Sequence, residues 1–490
     1  MSDPRNFRER FALALTVSLM CASAQAQQLL PNGLGGAGNH VRTSVAQPES
    51  TSQASGGYVR SVEPSLGPLA DPLGLRAFLK PQGVEYSLTY IVDILGNPTG
   101  GIRRGAVVED RLNLRLNLDL EKIAGWEGAT IHANAYFIHG TGLSRYYVDN
   151  LLTTSSIEAL PSSRLYVLWF DQKFFDGKLA IRAGQLAVDT EFFVSQTATV
   201  FMNTTFGFPA LGFLNLPGGG PIYPLATPAI RARYKPNDNF TFQVGLYDGD
   251  PGGASRIGPD AEPQRLNRTG TSFRTNDPAL VVAEAVYAYN TDKKAPGLPG
   301  TVTLGGWQHF GRFDDFRTDA TGRSLADPLS TGVPRQLRGN SGVFGILDQT
   351  LYRETGKDDE GLSAFVRAGY SPTSSSLIDM YIDGGLAYKG LFESREDDTL
   401  GLSVGYARIS RNARRADRNQ IFYSGTAMPG RSSEAVYEVT YQVAVVPGVT
   451  VQPDFQYIVH PGSGITNPQD ISGRRIKNTA IFGIRVAVQY

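Results

Sequence analysis

The sequence predicts an all-β fold, a transmembrane antiparallel β-barrel, and three observations lead to this prediction. Two stretches, 111–120 and 480–490, alternate apolar and polar side chains. Each has about the ten residues that a tilted strand needs to cross a bilayer. No stretch after the N-terminal region reaches the roughly 18 consecutive apolar residues of a helical span. Because lipid offers no hydrogen-bond partner to a free sheet edge, such strands must close into a barrel.

The stretch 480–490 reads A-I-F-G-I-R-V-A-V-Q-Y and ends on an aromatic residue, Tyr490. Its even-numbered positions are apolar, while its odd-numbered positions include Arg485 and Gln489, with Ile481 as the apolar exception. A side-chain period of two describes a strand with one apolar and one mostly polar face. We interpret it as the last strand of the barrel, which closes against the first strand, predicted to begin near Val84.

The stretch 111–120 has the most regular alternation in the chain. Its five even-numbered positions are all leucine, and its odd-numbered positions are arginine, asparagine or aspartate. This period excludes a helix, and the complete polar face is more typical of a membrane strand than of the alternative, a strand of a soluble sandwich. Similar alternation predicts further strands at 130–138, 437–445 and 451–459.

The connections differ in length in a regular way. The D-G pair at Asp176-Gly177 and the sequence 446–448 indicate tight turns, whereas 248–278 and 317–339 are long polar loops. Short turns on the periplasmic side and long loops on the extracellular side are typical of outer-membrane barrels.

Composition agrees with many short strands and turns. The chain is 41% hydrophobic and 19% charged, with 55 Gly and 29 Pro. Lys plus Arg and Asp plus Glu are 46 each, so no net field would recruit nucleic acid, and we expect no nucleic-acid partner.

The N-terminal region predicts three segments. Residues 1–26 have arginines, then an apolar run, then the A-x-A site 24–26, which is typical of a cleaved secretory signal peptide. Residues 27–70 are rich in Gly, Ser and Pro and are predicted to be disordered. Residues 71–490 form the predicted barrel domain, with a short helical turn at 71–83.

The stretch 197–233 has too many Pro and Gly for a membrane strand and too many aromatic residues for a free surface loop. One interpretation places it inside the barrel, where it narrows the pore; the alternative is a loop packed at the rim. The strand that follows alternates so that Arg231 and Arg233 point inward. Inward arginines can donate hydrogen bonds to sugar hydroxyls, or they can only pair with inward carboxylates.

The residues indicate no catalytic or metal site. The five histidines are scattered without ligand spacing, and no catalytic motif is evident. We therefore expect neither an enzyme nor a bound cofactor.

Several blocks resemble the OprB-type carbohydrate-selective porins of Gram-negative outer membranes. The blocks are, in chain order, P-L-G-L-R-A-F-L-K-P-Q-G-V, G-G-I-R-R-G, S-S-I-E-A, R-L-Y-V-L-W-F-D-Q-K-F-F-D-G-K-L-A-I-R-A-G-Q-L-A-V-D-T-E-F-F-V-S, F-M-N-T-T-F-G-F-P-A, G-G-P-I-Y-P-L-A-T-P-A-I-R-A-R-Y-K-P, L-G-G-W-Q-H-F-G-R-F-D-D, G-I-L-D-Q-T-L-Y-R and V-Q-P-D-F-Q-Y-I-V-H-P-G. Together they extend over residues 71–490. The terminal Tyr490 departs from the phenylalanine usual in the family but remains aromatic.

The resemblance implies a barrel of about sixteen strands that passes monosaccharides by diffusion across the outer membrane. It also implies candidate pore-lining or sugar-contact residues. These are Arg182, Gln185, Asp189, Glu191, Arg231, Arg233, Trp307 and His309. Partners would be small sugars, outer-membrane lipid, and the assembly machinery that recognises the last strand at Tyr490.

Two other functions stay open on the residues alone. A general diffusion pore would pass unrelated solutes without sugar selectivity. A structural or adhesion barrel would have its function in the long loops, such as 248–278.

Overall fold

The computed structural model describes residues 61–71, 73–253, 262–291, 296–355, 357 and 360–490. Within these ranges, sixteen strands form one closed antiparallel barrel. The strands are β1 Val84–Asn97, β2 Gly105–Asp119, β3 Ala129–Gly140, β4 Ser162–Phe174, β5 Leu179–Leu186, β6 Thr227–Tyr234, β7 Phe240–Asp248, β8 Ala279–Tyr289, β9 Gly300–Asp319, β10 Pro334–Arg353, β11 Gly361–Tyr370, β12 Ile378–Lys389, β13 Thr399–Ile409, β14 Ser433–Val446, β15 Val449–Val459 and β16 Thr479–Gln489.

The helices lie in the segments before and between the strands. The α-helices are Glu63–Leu66, Leu75–Leu79, Leu120–Ala124, Thr204–Gly207, Ala210–Leu214, Pro263–Leu266 and Arg411–Ser424. Single 3-10 turns are Gly67–Ala70, Lys80–Gln82, Val188–Thr190, Thr197–Val200, Pro217–Gly219 and Pro461–Ser463, and Ser144–Val148 is a π-helical turn. In the part of the chain described here, no helix is both long and apolar enough to span a membrane.

Each strand pairs with its neighbours in sequence, and β1 pairs with β16 to close the sheet. Across this seam, Val92 lies opposite Val486 and Asp93 opposite Arg485. The prediction that the last strand closes against the first is therefore confirmed. Closure leaves no strand edge with unpaired backbone groups, which is the condition for a sheet in lipid.

The alternation predicted from the sequence decides which side chains face outward. In β2, Leu114 is exposed, whereas its neighbours Arg111 and Asn113 are buried inside the barrel. In β16, Phe482 is 57% exposed and the inward Ile481 is fully buried. The barrel thus has an apolar outer surface and a polar interior, as the alternation predicted.

The two ends of the barrel have different connections. At one end, strands are joined by short turns such as 175–178 and 447–448, whereas the other end carries the long loops 141–161, 187–226 and 249–278. The D-G pair lies in a four-residue turn, because Phe174 pairs directly with Leu179. The predicted asymmetry of turns and loops is confirmed.

The N-terminal segments require one correction. The predicted signal peptide 1–26 and the predicted disordered part 27–60 lie outside the described residues. Residues 61–70, also predicted to be disordered, form short helices instead, and Val62 donates its N–H to the Gln489 carbonyl (2.8 Å). The backbone bond to the last strand orders this part although its composition is loop-like. The helical turn expected within 71–83 is present at Leu75–Leu79 and Lys80–Gln82.

A buried ion pair joins the first and last strands. Arg485 donates through Nε and Nη2 to the two carboxylate oxygens of Asp93 (2.8 and 2.7 Å), and both side chains are almost fully buried. Arg485 points into the barrel, as expected. It is covered there by the loop 141–161 rather than by water, since Ser155 and Ser156 bond to the same pair (2.7 and 3.1 Å).

Asp93→Ala should destabilise the closed barrel by about 3–5 kcal/mol, because it leaves the buried Arg485 guanidinium without its partner. The measurement is the free energy of unfolding by urea of the protein in lipid vesicles. The control is Asp470→Ala, which breaks a pair with Arg474, a side chain that is 71% exposed. Its expected cost is under about 1 kcal/mol. Equal losses for the two variants would contradict the role of the seam pair.

Candidate functional site

The loop 187–226 lies inside the barrel. Its backbone and side chains bond to strands around the wall, including Phe193 N–H to Glu284 of β8 (3.2 Å) and Ser195 Oγ to Asp348 of β10 (2.7 Å). Farther round, Met202 N–H bonds to Glu438 of β14 (2.6 Å). Contacts with strands so far apart require that the loop crosses the lumen. Of the two interpretations of 197–233, the pore-narrowing one is therefore supported, with 227–233 belonging to β6.

Inward carboxylates hold the backbone of this loop. A loop has no ladder partners for its N–H groups, so other acceptors must satisfy them when they are buried. Glu438 accepts from Met202 and from Asn203 (2.6 and 3.0 Å), and Asp348 accepts from Thr197 (3.2 Å). The wall of the barrel thus supplies the hydrogen bonds that the loop cannot make with itself.

An inward arginine holds the carbonyls of the same loop. Arg367 of β11 donates through Nη2 to the carbonyls of Thr205 and Phe206 (2.9 and 2.7 Å) and forms an ion pair with Asp383 of β12. Sequence reasoning missed both Arg367 and Glu438. Their inward parity was readable from the alternation of β11 and β14, but nothing local in the sequence indicated a partner loop.

A second loop, 141–161, also enters the lumen. Leu151 and Leu152 donate their N–H groups to Glu434 of β14 (2.9 and 2.7 Å). The two loops bond to each other, with Ser156 N–H donating to the Met202 carbonyl (2.9 Å). We call 141–161 and 187–226 together the inserted loops. They form one hydrogen-bonded layer across the interior.

Three of the predicted site residues meet in one cluster. Arg182 of β5 and Arg231 of β6 lie opposite each other in the sheet, and both contact Glu191 of the inserted loop 187–226. Both also contact Asp171 of β4, at 2.9 Å from Arg182 and 3.3 Å from Arg231. We call Asp171, Arg182, Glu191 and Arg231 the charge cluster. Asp171 was missed, although its inward parity was readable.

The charge cluster is buried and electrically balanced. Burial acts to raise the pKa of the Glu191 carboxyl, but the Arg182 and Arg231 guanidiniums outweigh it, so the pKa is lowered. The Glu191 carboxyl is therefore expected to be ionised, and it pairs with both arginines. The Arg182 guanidinium also lies 3.6 Å from the ring centroid of Trp169, a cation–π contact.

Two other predicted site residues, Gln185 and Asp189, lie near the charge cluster but do not join it. Gln185 lies on the face of β5 opposite to Arg182 and is buried, and its amide donates to the carbonyls of Tyr166 and Gly270 (both 2.8 Å). Asp189 is buried at the start of the inserted loop and accepts from the Tyr166 hydroxyl (2.8 Å). The alternation of β5 could have separated Gln185 from Arg182.

The other three predicted residues face the interior without joining the cluster. Arg233 is half-buried and lies two positions along β6 from Arg231. Trp307 of β9 is buried against the loop residue Phe193, with ring centroids 6.0 Å apart. His309 is buried, accepts from Gly311 N–H (3.0 Å) and donates to the Gly249 carbonyl (3.2 Å), so both ring nitrogens are used.

No metal centre is evident in the residues that the structure describes. Among them, no group of three or more His, Cys, Asp or Glu side chains could hold a metal ion. The inward groups are hydrogen-bond donors, acceptors and aromatic rings.

Comparison with curated proteins finds porins over most of the chain. The sequence is 25% identical over 441 residues to "Porin B" of Pseudomonas aeruginosa, covering 85% of this chain and 90% of that protein. It is 22% identical over 424 residues to "Putative porin QuiX" of Acinetobacter baylyi, covering 82% of this chain and 90% of that protein.

Comparison with solved structures supports the fold. The high-pH structure of Pseudomonas putida OprB superposes with a TM-score of 0.74 at 24% identity, covering 86% of this chain and 97% of that one. A similarity at this level of identity shows a shared barrel fold.

The model of one family matches residues 103–490, which is most of the chain and nearly all of the barrel. That family is described as carbohydrate-selective porin, OprB family. The chain therefore belongs to the OprB family of carbohydrate-selective porins and is a sugar porin of the Gram-negative outer membrane.

Proposed function

We propose that this porin passes monosaccharides by passive diffusion through a constriction that the inserted loops form inside the barrel, beside the charge cluster. The observation that carries the proposal is the lumen-crossing layer of loops, which narrows the wide channel that an open sixteen-stranded barrel would enclose. No covalent step is needed, because weak contacts that favour entry without trapping are sufficient for conduction.

The charge cluster supports selectivity for neutral sugars. It contains two guanidiniums and two carboxylates and so has no net charge of its own, and its Arg182 side chain, 12% exposed, is the member that can donate to a solute. Sugar hydroxyls both donate and accept, and guanidiniums present several donors in a plane. The half-buried Arg233 adds a further donor.

The other predicted residues have supporting roles in this proposal. Trp307 packs against the loop residue Phe193 and His309 bonds to the Gly249 carbonyl, while Gln185 and Asp189 hold the wall and the start of the loop. A general diffusion pore would have the same barrel but no solute contact at the cluster. Sugar-dependent block of ion current separates the two.

Arg182→Ala should weaken sugar block of the ion current by about tenfold, because a hydrogen bond from a charged donor contributes about 1.5–3 kcal/mol. The measurement is single-channel current in planar bilayers, titrated with a neutral monosaccharide. Arg474→Ala is the control, since Arg474 lies in the exposed loop 460–478. An unchanged sugar affinity in Arg182→Ala would contradict contact at the cluster, whatever happens to the conductance.

We propose that the anchoring of the inserted loops sets the size limit of the pore. Glu438→Ala leaves the buried N–H groups of Met202 and Asn203 without their acceptors, at a cost of about 1–3 kcal/mol each. Loosening of the loop should raise the conductance and admit disaccharides and trisaccharides.

The measurement is liposome swelling with sugars of increasing size. Glu438→Gln keeps one acceptor oxygen and should give an intermediate result. Glu393→Ala, in an exposed short turn between β12 and β13, should behave as the unchanged protein does. If Glu438→Ala keeps both conductance and size limit, the loop is held by other contacts.

We also propose that lipid covers the apolar outer face and that outer-membrane assembly machinery recognises the last strand. Support for the second proposal comes from the outward apolar side chains of β16, which Tyr490 continues directly after the strand. The Tyr490 N–H donates to the Leu88 carbonyl (2.8 Å). Tyr490→Phe should keep the amount of assembled porin, and Tyr490→Asp should lower it several-fold, as measured on outer-membrane fractions. Equal amounts of the two variants would contradict recognition through the terminal ring.

A further inference from the structure

We propose that residues 61–71 and 73–82, here called the N-terminal clasp, fasten onto the closing seam from outside the barrel and insert apolar side chains into the lipid interface at the short-turn end. The clasp lies before residue 103, where the match to the family model begins.

The clasp is attached to both strands of the seam. Its start bonds to β16, where the Val62 N–H donates to the Gln489 carbonyl (2.8 Å) and the Tyr490 hydroxyl bonds to the Ala70 carbonyl. Its middle bonds to β1, where Arg76 Nη2 donates to the Tyr86 carbonyl (2.7 Å). A segment that bonds to both β1 and β16 restrains their separation at this end.

The clasp lies on the outer surface of the barrel. The Arg76 guanidinium lies over the rings of Tyr86 and Tyr490, at 5.2 and 4.6 Å from their centroids. Tyr86 has the same parity in β1 as the outward, exposed Ile94, and Tyr490 continues the outward parity of Phe482. The two rings therefore face outward, and so does the segment that covers them.

The conformation of the clasp is held by the fold rather than by helix propensity. An isolated helix of five residues such as Leu75–Leu79 would not be stable in water. Here Asp71 accepts from the N–H groups of Arg76 and Ala77 (3.2 and 2.9 Å), and Arg76 forms an ion pair with Glu63. Directly after the clasp, the Gly83 carbonyl accepts a hydrogen bond from the Asp119 N–H of β2 (2.7 Å).

The clasp exposes large apolar side chains. Leu73 is 89% exposed and Phe78 is 64% exposed, with Leu69 and Leu75 also exposed. The neighbouring turn adds the exposed Trp126, whose ring packs against the outward Phe170 of β4 (5.2 Å between centroids). This apolar surface is continuous with the lipid-facing surface of the strands.

Continuity with that surface identifies the occupant as phospholipid at the boundary between acyl chains and headgroups. Lys80, exposed on the same segment, suits contact with headgroup phosphates, and Trp126 suits the interface where aromatic residues concentrate. The alternative occupant, a second copy of the chain, is an outcome of the test below.

The test places a nitroxide label at one introduced cysteine of the full chain, in a Cys21→Ser background. It measures how often the label collides with oxygen, which partitions into lipid, and with a water-soluble nickel chelate. The vesicles contain phosphatidylethanolamine and phosphatidylglycerol. Phe78→Cys is the test position. Phe482→Cys is the lipid-facing reference, and Ile471→Cys, on an exposed residue of the loop 460–478, is the aqueous reference.

We expect the label at Phe78→Cys to collide more with oxygen than with the nickel chelate, as at Phe482→Cys and opposite to Ile471→Cys. Preference for the chelate would overturn the proposal, because the clasp would then lie in water. Protection from both reagents would also overturn it and would indicate a protein partner such as a second copy. The inference rests on the proposed lipid contact of the outer face, and failure of that contact would be seen separately at Phe482→Cys.

Discussion

Closure of the sheet is the constraint on which the rest of this structure depends. In hydrocarbon every backbone N–H and carbonyl must be bonded within the protein, so β1 and β16 have to meet along their length. The junction of β1 and β16 is the one pair of neighbouring strands in the barrel that no connecting loop joins. The buried Asp93–Arg485 pair lies inside this seam. The N-terminal clasp lies on its outside, so the same junction is held from both faces.

A second constraint follows from the size of the barrel. A sixteen-stranded barrel encloses an aqueous channel too wide to select small sugars by itself. Selectivity therefore has to come from what fills the lumen, and here the inserted loops do so. Their irregular backbone is costly to bury unless each group has a partner. Glu434, Glu438 and Arg367 provide those partners from the wall, so the polar side chains of the interior hold the inserted loops in place.

The sequence predicted the strands of the barrel wall better than the loops that lie inside the barrel. The alternation of apolar and polar residues at 112–120 and 480–490 predicts that these stretches are strands and predicts which side chains face outward. A period of two leaves one apolar face. The same rule places Arg182 and Arg231 inward, and it would have excluded Gln185. It does not report distance across the lumen, so nothing local in the sequence pairs Glu438 with Met202 or Arg367 with Phe206. The Pro- and Gly-rich composition of 197–226 likewise indicates a loop without indicating which side of the wall it occupies. Residues 61–70 were predicted to be disordered from their composition. That prediction was wrong because composition gives no information about a long-range bond such as that from Val62 to Gln489.

The central claim is that sugars bind weakly at a constriction that the inserted loops and the charge cluster create. The most direct measurement is single-channel current through the unaltered protein as a neutral monosaccharide is added, compared with a polyethylene glycol of the same hydrodynamic size. We expect a saturable fall in current with the monosaccharide, and with the polymer only the fall that solution viscosity produces. Identical curves for the two solutes would contradict it, since the pore would then sense size alone.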